Sequence, residues 1–378
     1  MEQQRIPLTD KTIRAAVKLW CRDPDAAEIE YGHISRWDTS AVTNMMDLFK
    51  DKRDFNDDIS QWDVGNVTNM GGMFYSAYAF NQPIEQWNVG NVKNMSYMFF
   101  SADAFNQPLW QWNLGKVTDM NGMFFHAHAF NQPIGQWNLG KVTDMGGMFY
   151  SAFAFNQPIG DWNVGNVTNM REMFRGARAF NQPIGNWDVG NVTDMGGMFF
   201  DASVFNQPIE QWNVGNVTDM EYMFRSAPAF NQPLANWERE AGRNGATTTS
   251  TLTNVTNMKR MFLRADSFDQ DISNWYIPNA DTTEMFNDSY HHTKPSAALS
   301  TETIMDEVFL RHNVRGANDL ARIVGQFRQF RPVGQFGGKK GRKTQKRKYK
   351  TINNKSKKKN ISRKRKQSKK KGKKTKKN

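Results

Sequence analysis

The sequence predicts an α/β repeat solenoid with helical caps at both ends, because one unit of 25 residues recurs along most of its 378 residues. Phenylalanine recurs at this interval from Phe55 to Phe230, and tryptophan recurs from Trp37 to Trp237. A constant period in the range of roughly 20 to 50 residues is typical of arrays whose units bury their apolar faces against one another. We therefore expect about ten repeats over residues 34–286, with a polar insertion at 238–250.

Each repeat is predicted to contain a short strand followed by a short helix. Trp87 and Val89 alternate with polar residues, as in a half-buried strand. The next segment, 95–102, places its apolar residues at the spacing i, i+3, i+4 and i+7, which indicates one or two helical turns. Pro108 then interrupts the pattern, because proline cannot continue a helix.

The array is expected to begin with a helical cap. Residues 9–20 place apolar side chains at helical spacing behind a Thr or Asp cap, and Asp23-Pro24 begins a second short helix. We interpret residues 1–33 as an N-terminal cap that covers the open apolar edge of the first repeat, because terminal repeats need a polar outer face.

A second cap is expected at the far end. Residues 301–311 and 316–330 also show helical spacing, so residues 287–336 are predicted to form a C-terminal helical cap. Residues 337–378 differ completely in composition, and we expect them to be a disordered basic tail because they cannot build an apolar core.

Charge is divided sharply between the array and the tail. The tail holds 23 of the 50 lysines and arginines and no acidic residue, which leaves 27 basic against 37 acidic residues in the other 336. Such a charge run is typical of a nuclear address, a nucleic-acid arm or a patch for another anionic surface. The tail residues predicted to contact an anionic partner are Lys339, Lys340, Arg342, Lys343, Lys346, Arg347, Lys348, Arg363, Lys364, Arg365 and Lys366.

The cysteine count and the lack of long apolar segments indicate the cellular compartment. The single cysteine, Cys21, excludes an intramolecular disulfide framework. The first residues lack the apolar run of a signal peptide, and no stretch is apolar enough for a membrane span. We therefore expect an intracellular protein, with the nucleus or a virion suggested by the basic tail.

Catalytic and metal-binding chemistry is not expected. The histidines, including His126 and His128, show no metal-ligand spacing with cysteine, and the recurring glycines fit turns better than a phosphate loop. Enzymes bring unlike residues together once, whereas this chain presents similar residues in every repeat. We predict no catalytic residue, no metal and no cofactor.

The candidate binding surface lies beside the predicted strand. If Trp87 and Val89 point inward, their polar neighbours form an amide-rich stripe along one face. Such a stripe can bind the backbone of a partner or a glycan, or its amides can bond one another and stabilise the stack. Trp110 is the aromatic residue expected to stand out of the pattern. The stripe comprises Gln86, Asn88, Gln111, Asn113, Gln136, Asn138, Asp161 and Asn163.

A family resemblance follows from the wording of the repeat. Residues 80–99 read FNQPIEQWNVGNVKNMSYMF. This wording resembles the leucine-rich-repeat-like units of BspA-type surface proteins and mycoplasma lipoproteins, over about residues 34–286. The resemblance implies a right-handed array of short parallel strands, in which valines such as Val92 replace the usual asparagine ladder. Repeats of this kind with a basic tail also resemble gene products of large algal DNA viruses.

These features predict a monomeric, non-enzymatic interaction scaffold. It would bind a protein, or less readily a glycan, on its strand face, while the tail tethers it to an anionic partner and raises the effective concentration. The alternative makes the tail the functional element of a nucleic-acid-associated protein, in which the array is only a carrier.

Overall fold

The computed structural model describes residues 7–238 and 251–286. The chain divides into two compact units, Met1–Val308 and Phe309–Asn378, and every described residue belongs to the first. The predicted C-terminal cap at 287–336, the basic tail at 337–378 and most of the insertion at 238–250 lie outside the described residues.

Two helices precede the repeats, where their spacing predicts them. Helix α1 spans Asp10–Trp20, and helix α2 spans Pro24–Tyr31. Thr9 caps α1 by accepting a hydrogen bond from the N–H of Thr12, and Asp23 caps α2 in the same way. Two 3₁₀ turns complete the regular elements of the described ranges, at Ile34–Arg36 and Ala235–Trp237.

The predicted helix at 95–102 is wrong, because this segment is a series of tight turns. The N–H of Met98 donates to the carbonyl of Met95, and the N–H of Phe100 donates to that of Tyr97. The intervening N–H groups bond instead to the next repeat, and Tyr97 has a φ of 55°. These turns bury the residues at positions 95, 98, 99 and 102. The spacing of these apolar residues along the sequence is the same as on one face of a helix.

The predicted strand at Trp87 and Val89 is also wrong. The N–H of Trp87 donates to the carbonyl of Ile84 within its own repeat, and that of Val92 donates to Val89, so both contacts are turns. In the described ranges each repeat instead meets its neighbours through isolated parallel bridges. These join Asn44, Asn69, Asn94, Asp119, Asp144, Asn169, Asp194, Asp219, Asn257 and Asp281 in succession.

The core is a stack of aromatic rings, with neighbouring repeats in direct contact. Phe99 and Phe105 stack 4.0 Å apart within one repeat, and Phe99 lies 5.5 Å from Phe124 of the next. Trp112 is buried, and its indole N–H donates to the carbonyl of Ile84 at 3.1 Å. Each repeat therefore completes the apolar and polar contacts of the next, whereas the right-handed solenoid class stays a prediction.

An amide ladder lies at the Phe-Asn-Gln-Pro corner of the repeat. The valines expected to replace an asparagine ladder, such as Val92, occupy a different position of the repeat. Asn106 Oδ1 accepts the N–H of Asn131 at 2.9 Å. Gln132 Nε2 donates to both the carbonyl and the side-chain oxygen of Asn106, at 2.9 and 3.0 Å. These amides hold neighbouring repeats in register, while Val92 is fully buried.

Helix α1 completes the first repeat by replacing a missing neighbour. Inside the array, the N–H of Asp119 donates to the carbonyl of Lys93 in the preceding repeat at 3.4 Å. In the first repeat, the equivalent N–H of Asn44 donates to Asp10 Oδ1 at 3.0 Å. The hydroxyl of Thr43 donates to the other carboxylate oxygen at 2.8 Å. The carboxylate thus substitutes for the carbonyl of an absent repeat.

Arg14 supplies the matching donors on the same edge. Its Nη1 donates to the carbonyl of Met46 at 2.7 Å, and its Nη2 to that of Asn44 at 3.3 Å. Inside the array, the equivalent carbonyl of Ser96 accepts the N–H of Gly72 at 2.8 Å. One guanidinium therefore satisfies two carbonyls that would otherwise have no donor.

Candidate functional site

A line of aromatic and basic side chains follows the outer surface of the turn segments, with one residue in each of eight successive repeats. Each member directly follows a buried core phenylalanine such as Phe99, and each is half-buried or exposed. We call this line the outer ridge. It consists of Lys50, Tyr75, Phe100, Phe125, Tyr150, Arg175, Phe200 and Arg225.

The rings of the outer ridge stack face to face. The centroids of Tyr75 and Phe100 are 4.2 Å apart, with planes inclined by 2°. Phe100 and Phe125 are 4.8 Å apart, and Phe125 and Tyr150 are 4.0 Å apart. At these separations the rings cover each other's faces, so the solvent meets mainly their edges.

Cationic groups extend this stack at both ends. Lys50 Nζ lies 4.8 Å from the ring centroid of Tyr75. The guanidinium of Arg175 lies between two rings, 5.0 Å from Tyr150 and 4.3 Å from Phe200. Arg225 contacts the ring of Phe200 at 5.0 Å. Contacts of this length are attractive cation–π interactions, so the ridge is continuous from Lys50 to Arg225.

A second line runs beside the ridge, three residues further along each repeat. Arg53 lies 5.4 Å from the ring centroid of Tyr78. Phe153 is 38% exposed and lies between the ring of His128 at 4.6 Å and the guanidinium of Arg178 at 5.0 Å. The two lines together form a surface of ring edges and cations.

Tyr97 borders the ridge on the other side. It is 41% exposed and meets Phe100 edge to face at 6.1 Å. Its ring fills the space beside Gly122, whose φ is 59° and where a Cβ would collide with the ring. Burial raises the pKa of the Tyr97 hydroxyl, and the carboxylates of Asp144 and Asp119 raise it further.

Carboxylates replace amides at some of the bridge positions. Partial burial raises the pKa of Asp119, opposed by a hydrogen bond from the N–H of Asn121, and the nearby Asp144 raises it further. Asp194 has a raised pKa mainly for the same reason, although Arg171 lies 3.6 Å away and opposes the shift. Ionisation of Asp119 and Asp194 therefore carries an energetic cost, whereas at Asp281 hydrogen bonds from Thr283 and Lys259 lower the pKa to about 2.

The amide stripe predicted from the sequence is exposed, but its asparagines stabilise turns. Asn88 Oδ1 accepts the N–H of Gly90 at 3.3 Å. The equivalent atoms of Asn113, Asn138 and Asn163 each accept the N–H two residues further along, at 3.2 Å. These bonds favour the structural alternative over a ligand role. The other members of the stripe, all exposed, are Gln86, Gln111, Gln136 and Asp161.

Trp110 stands out of the repeat pattern, as the sequence predicts, and is 53% exposed. It belongs to another column of the repeat than the outer ridge. The predicted anionic-partner residues of the tail, Lys339 to Lys366, lie outside the described residues.

The described ranges hold few features of other kinds of site. Within residues 7–238 and 251–286, no three histidine, cysteine or acidic side chains are grouped as metal ligands. The imidazole of His128 is instead 3.1 Å from the carboxylate of Asp103. None of the helices in these ranges is long and apolar enough to cross a membrane.

Comparison with known proteins identifies the family of the repeats. The model of the family described as "Mycoplasma protein of unknown function, DUF285" matches five overlapping stretches, which together cover well over half of the chain. The chain belongs to this family. The matches confirm the prediction of a mycoplasma-type repeat family, while the BspA-type and viral resemblances stay predictions. No curated protein matches the chain. The matched stretches are 24–133, 82–170, 107–195, 158–253 and 248–319.

The outer ridge is not among the predicted site residues. Its signal is a basic or aromatic residue directly after the methionine–phenylalanine pair of successive repeats, as in Met98-Phe99-Phe100 and Met173-Phe174-Arg175. Interpreting this segment as a helix hid the signal, because a helix would send positions 100 and 125 to a face with no special role.

Proposed function

We propose that this DUF285 protein is a non-enzymatic interaction scaffold that binds a protein partner through the outer ridge. The observation that carries the proposal is the continuous stack of rings and cations from Lys50 to Arg225. Aromatic residues and arginine are the side chains most enriched at the energetic centres of protein interfaces.

Other features of the repeat support this location. The amides of the Phe-Asn-Gln-Pro corner bond the neighbouring repeat, and the asparagines of the predicted stripe bond their own turns. Most polar side chains on those faces are therefore already used in the fold. The outer ridge differs because its members vary in chemistry between repeats while keeping the same place in the stack.

The basic tail fits this function as a tether. Its 23 lysines and arginines carry no compensating acid, and the rest of the chain is acidic. A tail bound to an anionic partner would raise the effective concentration of the scaffold near a second partner.

A second candidate function rests on the same charge count. In this alternative the tail binds nucleic acid, and the array is only a carrier. Phosphate-driven binding falls steeply with salt and should disappear when the chain is truncated after Phe336. Titration of the full-length and truncated proteins with DNA at several salt concentrations measures this contribution directly.

Site-specific photo-crosslinking tests the proposed function. Benzoylphenylalanine is placed at Tyr97, beside the ridge, or at Gln86 in the predicted stripe, in cells that naturally produce the protein. We expect protein adducts from position 97 and few from position 86. Protein adducts from neither position, together with nucleic-acid binding that is lost with the tail, would overturn the scaffold in favour of the alternative.

A further inference from the structure

We infer that the outer ridge binds an acidic segment of its partner that also carries aromatic side chains. This inference rests on the proposed function, because it names the chemistry of the partner at the same surface. It follows from what the stacked rings leave accessible, from the charge along the ridge and from the length of the surface.

The stack leaves few ring faces accessible. Ligands such as sugars and nucleobases bind aromatic residues by stacking on their faces. The faces of Phe100 and Phe125 are already covered, because each ring has a neighbour on both sides at 4.0–4.8 Å. Ring edges therefore dominate the ridge, and these carry the positive part of the aromatic quadrupole. Their natural partners are the negative faces of other aromatic rings and anionic oxygens.

The charged groups of the ridge have the same sign as its ring edges. Lys50, Arg175 and Arg225 lie in line with the rings. Among the described residues, the buried Nε of Arg225 has no hydrogen-bond acceptor, although Arg225 acts electrostatically on Glu284. Arg225 as a whole is half-buried, and a partner carboxylate would pair with the accessible part of its guanidinium.

The neighbouring acids only partly offset this charge. Asp47 lies 3.7 Å from Lys50, and Glu172 pairs with Arg175. The Lys50 pair is exposed, where an exchange of partners costs little, whereas the Arg175 pair is half-buried. Arg53 of the adjacent line lies against Tyr78, which adds a cation at the same end of the surface.

The length of the surface favours an extended segment. The ridge has one residue in each of eight successive repeats. Parallel bridges join these repeats at a spacing of about 4.8 Å, so the eight positions extend over roughly 34 Å. An extended peptide advances about 3.3 Å per residue and would need about ten residues to follow it.

Binding of synthetic polypeptides to the full-length protein tests this inference. The probes are a random copolymer of glutamate and tyrosine, polyglutamate, and a copolymer of lysine and tyrosine, all of matched length. Polyglutamate has the higher charge density, so the basic tail alone would favour it over the glutamate–tyrosine copolymer. Tighter binding of the glutamate–tyrosine copolymer than of polyglutamate would therefore show that the protein recognises the tyrosine rings as well as the negative charge.

Two double variants separate the ridge from the tail. Arg175→Gln with Arg225→Gln removes two ridge cations, whereas Lys116→Gln with Lys141→Gln removes the same charge from another column of the array. We expect the ridge pair to weaken binding of the glutamate–tyrosine copolymer roughly tenfold, since hydrogen-bonded charge pairs contribute on this scale. The control pair should change it less than about twofold. Phe100→Thr, which leaves the charge unchanged, should weaken the same binding, and thermal unfolding verifies that each variant is folded.

Three results would overturn the inference. One is equal or weaker binding of the glutamate–tyrosine copolymer than of polyglutamate, with no effect of the ridge variants. Another is ridge-dependent binding of the lysine–tyrosine copolymer in its place. A third is ridge-dependent binding of oligothymidylate, which would assign the surface to nucleic acid. Protein adducts from position 97 combined with either of the first two results would retain the proposed function and reject only the partner chemistry.

Discussion

The buried column of phenylalanines and the outer ridge both stack one side chain per repeat, but they differ in which residue types occupy them. Buried Phe99 lies 5.5 Å from Phe124, and outer Phe100 lies 4.8 Å from Phe125. The buried column keeps phenylalanine in every described repeat, whereas the outer ridge accepts tyrosine, lysine and arginine. Phe105 and Trp112 contact Phe99 on the inner side of the buried column, whereas the outer ridge is half-buried or exposed among the described residues. Constant columns thus hold the array together, and variable columns are available for recognition.

The largest expected effect comes from breaking the buried column. Phe124→Ala removes a ring that contacts Phe99, Phe130 and Trp137, so it should lower the free energy of unfolding by about 3–5 kcal/mol. The matched change in the outer ridge, Phe125→Ala, should cost about 1 kcal/mol, because that ring is half-buried. Urea unfolding measures both, and equal losses would contradict the distinction between the two columns.

A somewhat smaller effect is expected from the constant indole ladder. Trp137→Phe retains most of the buried ring but removes the donor to the carbonyl of Leu109, which Trp137 Nε1 meets at 3.0 Å. A buried carbonyl without a donor costs about 1–3 kcal/mol. The control, Trp110→Phe at an exposed position, should change stability by less than about 0.5 kcal/mol in the same urea experiment. A comparable loss in the control would mean that ring size, and not the hydrogen bond, sets the cost.

Asp10 gives the first repeat the hydrogen bonds that a preceding repeat supplies elsewhere in the array. The pH dependence of stability tests this role. Partial burial raises the pKa of Asp10, but hydrogen bonds from Thr43 and Asn44 and the charge of Arg14 outweigh it, so the net pKa is lowered. A lowered carboxyl pKa stabilises the fold above the ordinary aspartate value, and this stabilisation is lost as the pH falls through the folded value.

Asp10→Asn should therefore destabilise the protein by about 1 kcal/mol at pH 7. The difference from the unaltered protein should shrink once the pH falls below about 3.9, the ordinary pKa of aspartate. Thermal unfolding at pH 7, 5 and 3 measures it. A difference that stays constant over this range would show that the charge of Asp10 has no role at the capped edge.

The smallest effect is expected at the positions of the parallel bridges, which are Asn in some repeats and Asp in others. Here the substitution of an Asp should stabilise the protein at pH 7, the opposite of the effect at Asp10. Because the pKa of Asp119 is raised, its contribution to stability is greatest below the unfolded pKa and is lost as the pH rises through the folded value. Asp119→Asn should therefore raise the unfolding midpoint by about 1–3 °C at pH 7 and hardly at all at pH 3.

The reciprocal change provides the control for this prediction. Asn94 occupies the equivalent position in the preceding repeat, so Asn94→Asp should lower the midpoint at pH 7 by a similar amount. If both substitutions lower the midpoint, packing and not ionisation governs this column.

The sequence predicts the repeats and their buried residues, but not the backbone that carries them. The 25-residue period and the capped helices at Asp10–Trp20 and Pro24–Tyr31 are visible as patterns, because caps and apolar spacing are local signals. Turns with positive φ at Tyr97 and Ser101 produce the same apolar spacing as a helix, so periodicity alone could not distinguish the two.

The candidate site was hidden for related reasons. Phe100 adjoins buried Phe99 in sequence, so only the turn geometry shows that it faces outward. The amide ladder at Asn106 and Gln132 lies before a proline, where a loop is the ordinary interpretation. Both the outer ridge and the amide ladder depend on contacts between neighbouring repeats, and the sequence of a single repeat does not show these contacts.

The central claim is that the outer ridge carries recognition separately from stability. The most direct measurement determines the affinity of full-length Phe125→Ala for the glutamate–tyrosine copolymer, with the unfolding midpoint recorded on the same sample. We expect the affinity to fall roughly tenfold while the protein remains folded at the assay temperature, since one ring of a binding surface contributes on this scale. An affinity equal to that of the unaltered protein, in a folded sample, would contradict the claim.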